Sequence, residues 1–248
     1  FSLYRYMKKI FYRLKEAFLP RNLTCSYCGR ESFTGRILCE KCLEKLEPND
    51  EYICDHCGDK TEIPTTFCDR CKGRLLSFDR ARSVYVYGEV SGALIRKLKY
   101  DGEKYLAEEF AKKLYELYVF SVTYADGIVY VPVTDKKLKR RGYNQSELLA
   151  ENLAKLSGVP LLCVLEKTKE TESQVGKSRS DRQKNLDGSF AVTDRKEVKG
   201  KRLVLVDDVM TTGTTANLIA EKLKKAGAEE VFVLTVATAH RNEMPEQI

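Results

Sequence analysis

Two adjacent carboxylates followed by a run of threonine and glycine are the residues of this 248-residue sequence best suited to chemistry: Val206-Asp207-Asp208-Val209-Met210-Thr211-Thr212-Gly213-Thr214-Thr215. The small side chains of Thr211 to Thr215 leave backbone N–H groups accessible. A helical pattern starts directly behind them, with Ala216, Ile219, Ala220 and Leu223 at helical spacing and Gly227 as a left-handed cap. A turn of this kind at a helix N-terminus is where a phosphate binds. In front of the acids, Leu203–Val206 is a short unbroken apolar run, as expected of a parallel strand covered on both faces.

A second set of chemically capable residues is repeated. Cys25-x-x-Cys28, Cys39-x-x-Cys42, Cys54-x-x-Cys57 and Cys68-x-x-Cys71 are separated by ten, eleven and ten residues. A two-residue gap lets both thiolates of a knuckle meet one ion, and Gly29 and Gly58 permit the tight turn beneath it. Consecutive pairs give a four-thiolate zinc site from Cys25, Cys28, Cys39 and Cys42 and another from Cys54, Cys57, Cys68 and Cys71. Interleaved ligation stays open. Closed sites of this kind are structural, and a disulfide framework would need an oxidising compartment. His56, between two ligands, reads as a solvated loop residue, and the ninth cysteine, Cys163 in Leu161–Leu165, as a small core residue.

Composition bounds these readings. The chain is 43% hydrophobic and 32% charged, enough for one α/β domain plus a small module. Its formal charge of +7 assumes neutral cysteines; eight thiolates around two divalent ions lower it by four, to about +3, so basicity alone is a weak nucleic-acid signal. No apolar run approaches a membrane span, and Arg5, Lys8, Lys9, Arg13 and Lys15 interrupt Phe1–Pro20, which argues against a signal peptide and for the cytoplasm.

These groups need elements to position them. Residues 4 to 19 place Tyr4, Met7, Phe11, Leu14 and Phe18 on one helical face, read as a helix docked on its own protein rather than on a membrane. Ala81–Tyr87 alternates as a strand, and Ser91–Leu98 and Tyr105–Tyr118 read as helices. Then come strand Ile128–Val133, helix Gln145–Leu156, strand Leu161–Leu165 and, after the acidic turn, strand Val231–Ala237. Strands separated by helices mean a parallel sheet whose ligands lie beyond the carboxyl ends of its strands. Two strand-end loops are basic. Lys136–Gln145 carries five cations within six residues, and Thr171–Phe190 holds Lys177, Arg179, Arg182 and Lys184 and has the length of a lid.

The acidic stretch Val206–Thr215 resembles the phosphoribosyl-diphosphate (PRPP) signature of type I phosphoribosyltransferases. Together with the tandem cysteine pairs, Lys139-Arg140-Arg141-Gly142-Tyr143-Asn144-Gln145 and Ser173-Gln174-Val175-Gly176, the chain resembles the ComF (ComFC-like) competence family over nearly its whole length. The resemblance implies an α/β fold: a type I phosphoribosyltransferase-like parallel sheet flanked by helices over 78–248, behind a double zinc-ribbon module over 21–77 and the helix of 1–20. It implies that Asp207 and Asp208 hold the ribose hydroxyls and that Thr211, Thr212, Gly213, Thr214 and Thr215 bind the 5′-phosphate. It further places Arg140, Arg141, Gly142, Asn144 and Gln145 at the pyrophosphate, and Gln174, Lys177, Arg179 and Arg182 on the flexible lid, Arg179 and Arg182 joining the two acids as catalytic groups.

Physics agrees with that assignment. Displacing pyrophosphate from the ribose C1 develops positive charge on the sugar and negative charge on the leaving group, so carboxylates belong beside one and Mg²⁺, Arg and Lys beside the other. Purine-salvage relatives carry Asp where this chain has Thr211, which disfavours a purine acceptor and leaves no evident general base. No N-terminal nucleophilic cysteine offers glutamine hydrolysis. The expected function is therefore Mg²⁺-dependent transfer of phosphoribosyl to an unidentified acceptor, linked through the family to natural transformation and DNA uptake. The alternatives are a single-stranded DNA-binding competence factor, alone or with a DNA-uptake helicase partner, and a PRPP sensor without catalysis.

Overall fold

The computed structural model describes residues 23–33, 35–168 and 188–239. The helix expected over 4–19 and the lid residues Gln174, Lys177, Arg179 and Arg182 lie outside the described residues. The chain divides into two compact units, Phe1–Leu46 and Glu47–Ile248, with one cysteine repeat in each.

In the first unit a bridge pairs Thr24 with Glu31 and one helical turn, α1 (Glu40–Leu43), follows Cys39. The knuckle closes through Gly29 N–H donating to the Cys25 carbonyl, 2.9 Å, with Gly29 at φ +70°. The second unit begins with the homologous knuckle: Gly58 N–H donates to the Cys54 carbonyl, also 2.9 Å, with Gly58 at φ +67°.

The rest of the second unit is a parallel sheet in the order β1 (Arg80–Val86), β6 (Glu230–Thr238), β5 (Arg202–Met210), β2 (Gly127–Tyr130). Between β1 and β2 run α2 (Glu89–Tyr100) and α3 (Tyr105–Ser121); α4 (Asp135–Arg141) and α5 (Gln145–Ser157) follow β2, and α6 (Thr214–Lys225) joins β5 to β6. Helix α3 buries Leu106, Phe110 and Leu114, and α5 buries Leu149 and Leu153. Each such side chain contributes about 1.5–3 kcal/mol by leaving water. The core cluster joins Leu203, Leu205, Val231 and Val233 of the sheet to Ile219 and Leu223 of α6, to Phe190, and to Cys54, Cys57 and Cys71 of the second cysteine repeat. The second ribbon is thus built into the wall of the sheet domain. No helix among the described residues is long and apolar enough to cross a membrane.

Four expectations need correction here. Strand β5 does not stop at Val206; it continues to Met210 because β6 is equally long and pairs Asp207 with Thr235 and Val209 with Ala237. The acids lie within the strand's final pleats, not beyond them. Leu161–Leu165 makes only one parallel bridge, Leu161 to Ile128, before the chain leaves the sheet edge; Leu165–Lys167 (β3) then pairs antiparallel with Phe190–Val192 (β4). Cys163, at that departure, is exposed and not a core residue. The basic segment after β2 is not all loop: Thr134 caps α4, Gly142 ends it at φ +78°, and Lys139, Arg140 and Arg141 occupy its last turn against the negative end of the helix dipole.

Candidate functional site

At the carboxyl end of β5 the two acids point apart, as neighbours on a strand must. Asp208 is 4% exposed and meets the Lys99 ammonium of α2, Nζ to Oδ2 2.6 Å. Burial opposes the Lys99 charge, and Asp208 outweighs it, holding the ammonium pKa above its usual value. Asp207 Oδ1 accepts from Ser146 Oγ at 2.8 Å and from the Asp208 N–H at 2.9 Å. Both hydrogen bonds from the described residues therefore fall on one oxygen, which leaves Oδ2 for a ligand. Desolvation first and the Asp208 charge second push the Asp207 carboxyl up to about 7, against the pull of Ser146 and Lys99.

Past Met210 the chain turns through Thr211–Gly213 into α6. Gly213 is the N-cap at φ +72°, a left-handed conformation that a side chain would strain, and it brings no capping side chain. No acidic residue stands in the first turn of α6, so no charge there opposes the positive end of its dipole, and the Thr214 N–H donates to the Thr212 hydroxyl at 3.4 Å. The Thr212 and Thr214 hydroxyls hydrogen-bond at 2.8 Å, and Thr211 to Thr215 are all partly exposed. The turn thus lies next to the Asp207 carboxylate at the N-terminus of α6.

The basic segment divides by role. Arg140 is exposed, whereas Arg141 lies 4.9 Å from the Tyr100 ring centre and donates to Gln145 Oε1. Asn144, buried, caps α5 by accepting from the Ser146 N–H at 3.0 Å and donates to the Val131 carbonyl at 3.0 Å. Its first task is to aim Ser146 at Asp207. That Lys99 and Ser146 meet the acids could not be read from the sequence, since both reach them from far along the chain. One local signal existed: Lys99 follows the buried Ile95 by four residues and so falls on the apolar face of α2.

Among the described residues two clusters could hold a metal, Cys25, Cys28, Cys39 and Cys42, and Cys54, Cys57, Cys68 and Cys71, which settles the pairing as consecutive. Sulfur separations of 3.9, 3.5 and 3.8 Å in the second cluster suit the edge of a tetrahedron with Zn–S of about 2.3 Å and are far beyond a disulfide bond of about 2.05 Å. Burial pushes Cys71 up to about 12 and Cys57 higher still, so full ionisation there needs a cation. In the first cluster Arg30 donates to Cys28 Sγ at 3.3 Å and holds that thiol down at about 6. His56 is not a solvated loop residue; its ring lies 5.3 Å from Phe78, stacked, and 5.5 Å from Phe67.

Residues 138–248 match the phosphoribosyl transferase domain and residues 14–75 the double zinc ribbon domain. Competence protein F of Haemophilus influenzae is 30% identical over 88% of this chain and 98% of its own length. The DNA utilization protein YhgH of Escherichia coli K12 is 31% identical over 84% of this chain and 87% of its own. Among solved structures, the glutamine PRPP amidotransferase of B. subtilis is 27% identical over 52% of this chain and 26% of that one, with a TM-score of 0.36.

Proposed function

The chain belongs to the competence protein F family, and from that membership and the geometry at the end of β5 we propose that it binds PRPP and transfers its phosphoribosyl group to an acceptor. The observation that carries the reading is Asp207 Oδ2, left without a partner among the described residues beside the amide-lined Thr211–Thr215 turn. Those amides and the Thr212 and Thr214 hydroxyls receive the 5′-phosphate. Asp207 accepts from a ribose hydroxyl; Asp208, buried against Lys99 on the other side of the strand, would have to exchange that partner to reach a second hydroxyl.

Arg140 and Arg141 supply cations toward the diphosphate, with Gly142, Asn144 and Gln145 shaping that turn; Gln174, Lys177, Arg179 and Arg182, outside the described residues, keep the role that the family resemblance implies. The carboxylate oxygens of Asp207 and Asp208 are hard donors that would suit Mg²⁺, whose charge would offset that of the diphosphate leaving with the bonding electron pair. Fixed carboxylates and cations then stabilise the separating charges at C1 and the leaving oxygen.

Calorimetry with PRPP and Mg²⁺ tests this. Binding by the wild type and its loss in Asp207→Asn/Asp208→Asn, with two zinc ions per chain retained, support the reading; wild-type protein that ignores PRPP ends it. Pyrophosphate release across a panel of bases, amines and nucleic acids then separates transfer from sensing.

A second reading has its own support. Phe33, Tyr52 and Phe67 are 79%, 49% and 50% exposed on the ribbons, where a small core would have covered them, and exposed rings are stacking platforms for single-stranded bases. The relatives' names point to DNA as well. Salt-sensitive retardation of single strands by the full chain tests it.

A further inference from the structure

The second cysteine cluster reaches the phosphate turn through two guanidinium groups. Arg70 stands between the ligand positions Cys68 and Cys71, so its backbone is placed by the knuckle. Its side chain forks: Nη2 pairs with Asp59, 5% exposed, and Nη1 donates to the Thr211 carbonyl. Arg74 Nη1 donates to the Thr212 carbonyl at 3.3 Å. A third tie runs from the Ser77 N–H to Asn217 Oδ1 of α6, 2.6 Å. Asp59 in turn accepts from Thr238 Oγ1 at 3.4 Å, at the end of β6.

The consequence follows from peptide geometry. In a planar trans peptide the C=O of one residue and the N–H of the next point in opposite directions. A donor that fixes the Thr211 carbonyl therefore turns the Thr212 N–H away from the ribbon, and one on the Thr212 carbonyl turns the Gly213 N–H away likewise. These are the amides an anion would meet.

We propose that Arg70 and Arg74 are positioning residues of the phosphate turn, through which the cluster of Cys54, Cys57, Cys68 and Cys71 orients the anion-binding amides without touching the ligand. A metal-bound knuckle fits this task because it fixes the Arg70 Cα rigidly. Lysine cannot replace Arg70, since a point cation cannot serve Asp59 and the Thr211 carbonyl together.

The inference rests on the phosphoribosyl reading only for its ligand measurement. The test compares Arg70→Ala, Arg70→Lys, Arg74→Ala and, as control, Lys72→Ala, whose partner Asp69 lies on the ribbon surface. Zinc content, the backbone amide resonances of Thr212, Gly213 and Thr214, and affinity for PRPP with Mg²⁺ are read for each. The two arginine-to-alanine variants are expected to keep two zinc ions, to shift and broaden those resonances, and to weaken PRPP binding about tenfold, roughly the worth of one charge-assisted hydrogen bond. Millimolar guanidinium restores Arg70→Ala, Arg70→Lys remains impaired, and Lys72→Ala behaves as wild type. Unchanged resonances in Arg70→Ala and Arg74→Ala overturn the proposal, whether or not PRPP binds. If the wild type binds no PRPP, the functional reading fails and the resonances alone decide this one. Should Arg70→Ala lose zinc, the resonances of Arg74→Ala, a substitution at a half-exposed position, decide between the two outcomes.

Discussion

Lys99 and Asp208 form a buried pair whose value lies in its completeness. Removing one member strands the other charge in a site closed to water, at a cost of about 3–5 kcal/mol. Lys99→Met should therefore lower the thermal midpoint sharply at pH 7.5, and adding Asp208→Asn to it should recover most of the loss; a full-size loss in the double variant would mean the pair is not the cause. Asp207 behaves in the opposite sense. Its carboxyl is raised from about 3.8 to about 7, so the folded state holds a proton that the unfolded state has released. The stability this proton confers is complete below about pH 4 and is lost as pH rises through 7. Melts of Asp207→Asn against wild type at pH 5 and pH 8 should show the variant gaining at the higher pH, by about 1–3 kcal/mol once solvent access to the partly exposed carboxylate is allowed for. PRPP binding by the wild type should strengthen over the same range as Asp207 ionises.

The two knuckles look alike in sequence and differ in what surrounds them. A Cβ on Gly29 would meet nothing within 4 Å, whereas one on Gly58 would collide with the Ala81 carbonyl of β1. Gly29→Ala should cost about 1–2 kcal/mol, the strain of a left-handed φ alone. Gly58→Ala should cost about 3 kcal/mol or more and loosen the second zinc site, since backbone cannot yield as a side chain can; equal midpoints for the two variants would contradict this. That difference was invisible in the sequence, where both read as a glycine after a ligand. So was the length of β5: aspartate disfavours strands, yet pairing with β6 carries the strand through both acids. What could be read was whatever depends on local spacing, namely the cysteine knuckles, the α6 periodicity, and the apolar run of Leu203–Val206. What could not, including Lys99, Ser146, Arg70 and Arg74, depends on contacts between distant segments.

For the molecule as a whole, the division between Leu46 and Glu47 gives the two metal sites different standing. Cys54, Cys57 and Cys71 share the core cluster with Phe78, Leu205, Ile219 and Val233, while the first four cysteines stand outside that cluster. Cys25→Ser/Cys28→Ser should lower zinc content to about one ion per chain and leave the main calorimetric transition in place. Cys54→Ser/Cys57→Ser should lower zinc equally and bring the main transition down with it. Matching losses of the main transition in both would show the two sites to be energetically equivalent.

The place of β6 in the sheet also bears on synthesis. Strand β6 separates β1 from β5 although it is made last of the six, so a nascent chain that has exposed β1 holds an unsatisfied edge for some 150 residues of translation. All eight ligand cysteines emerge before that edge does. Zinc loading can therefore run ahead of the ribosome's progress through the sheet, while Met210, at the mouth of the Thr211–Thr215 turn, gains its β6 neighbour only once translation has passed Thr238.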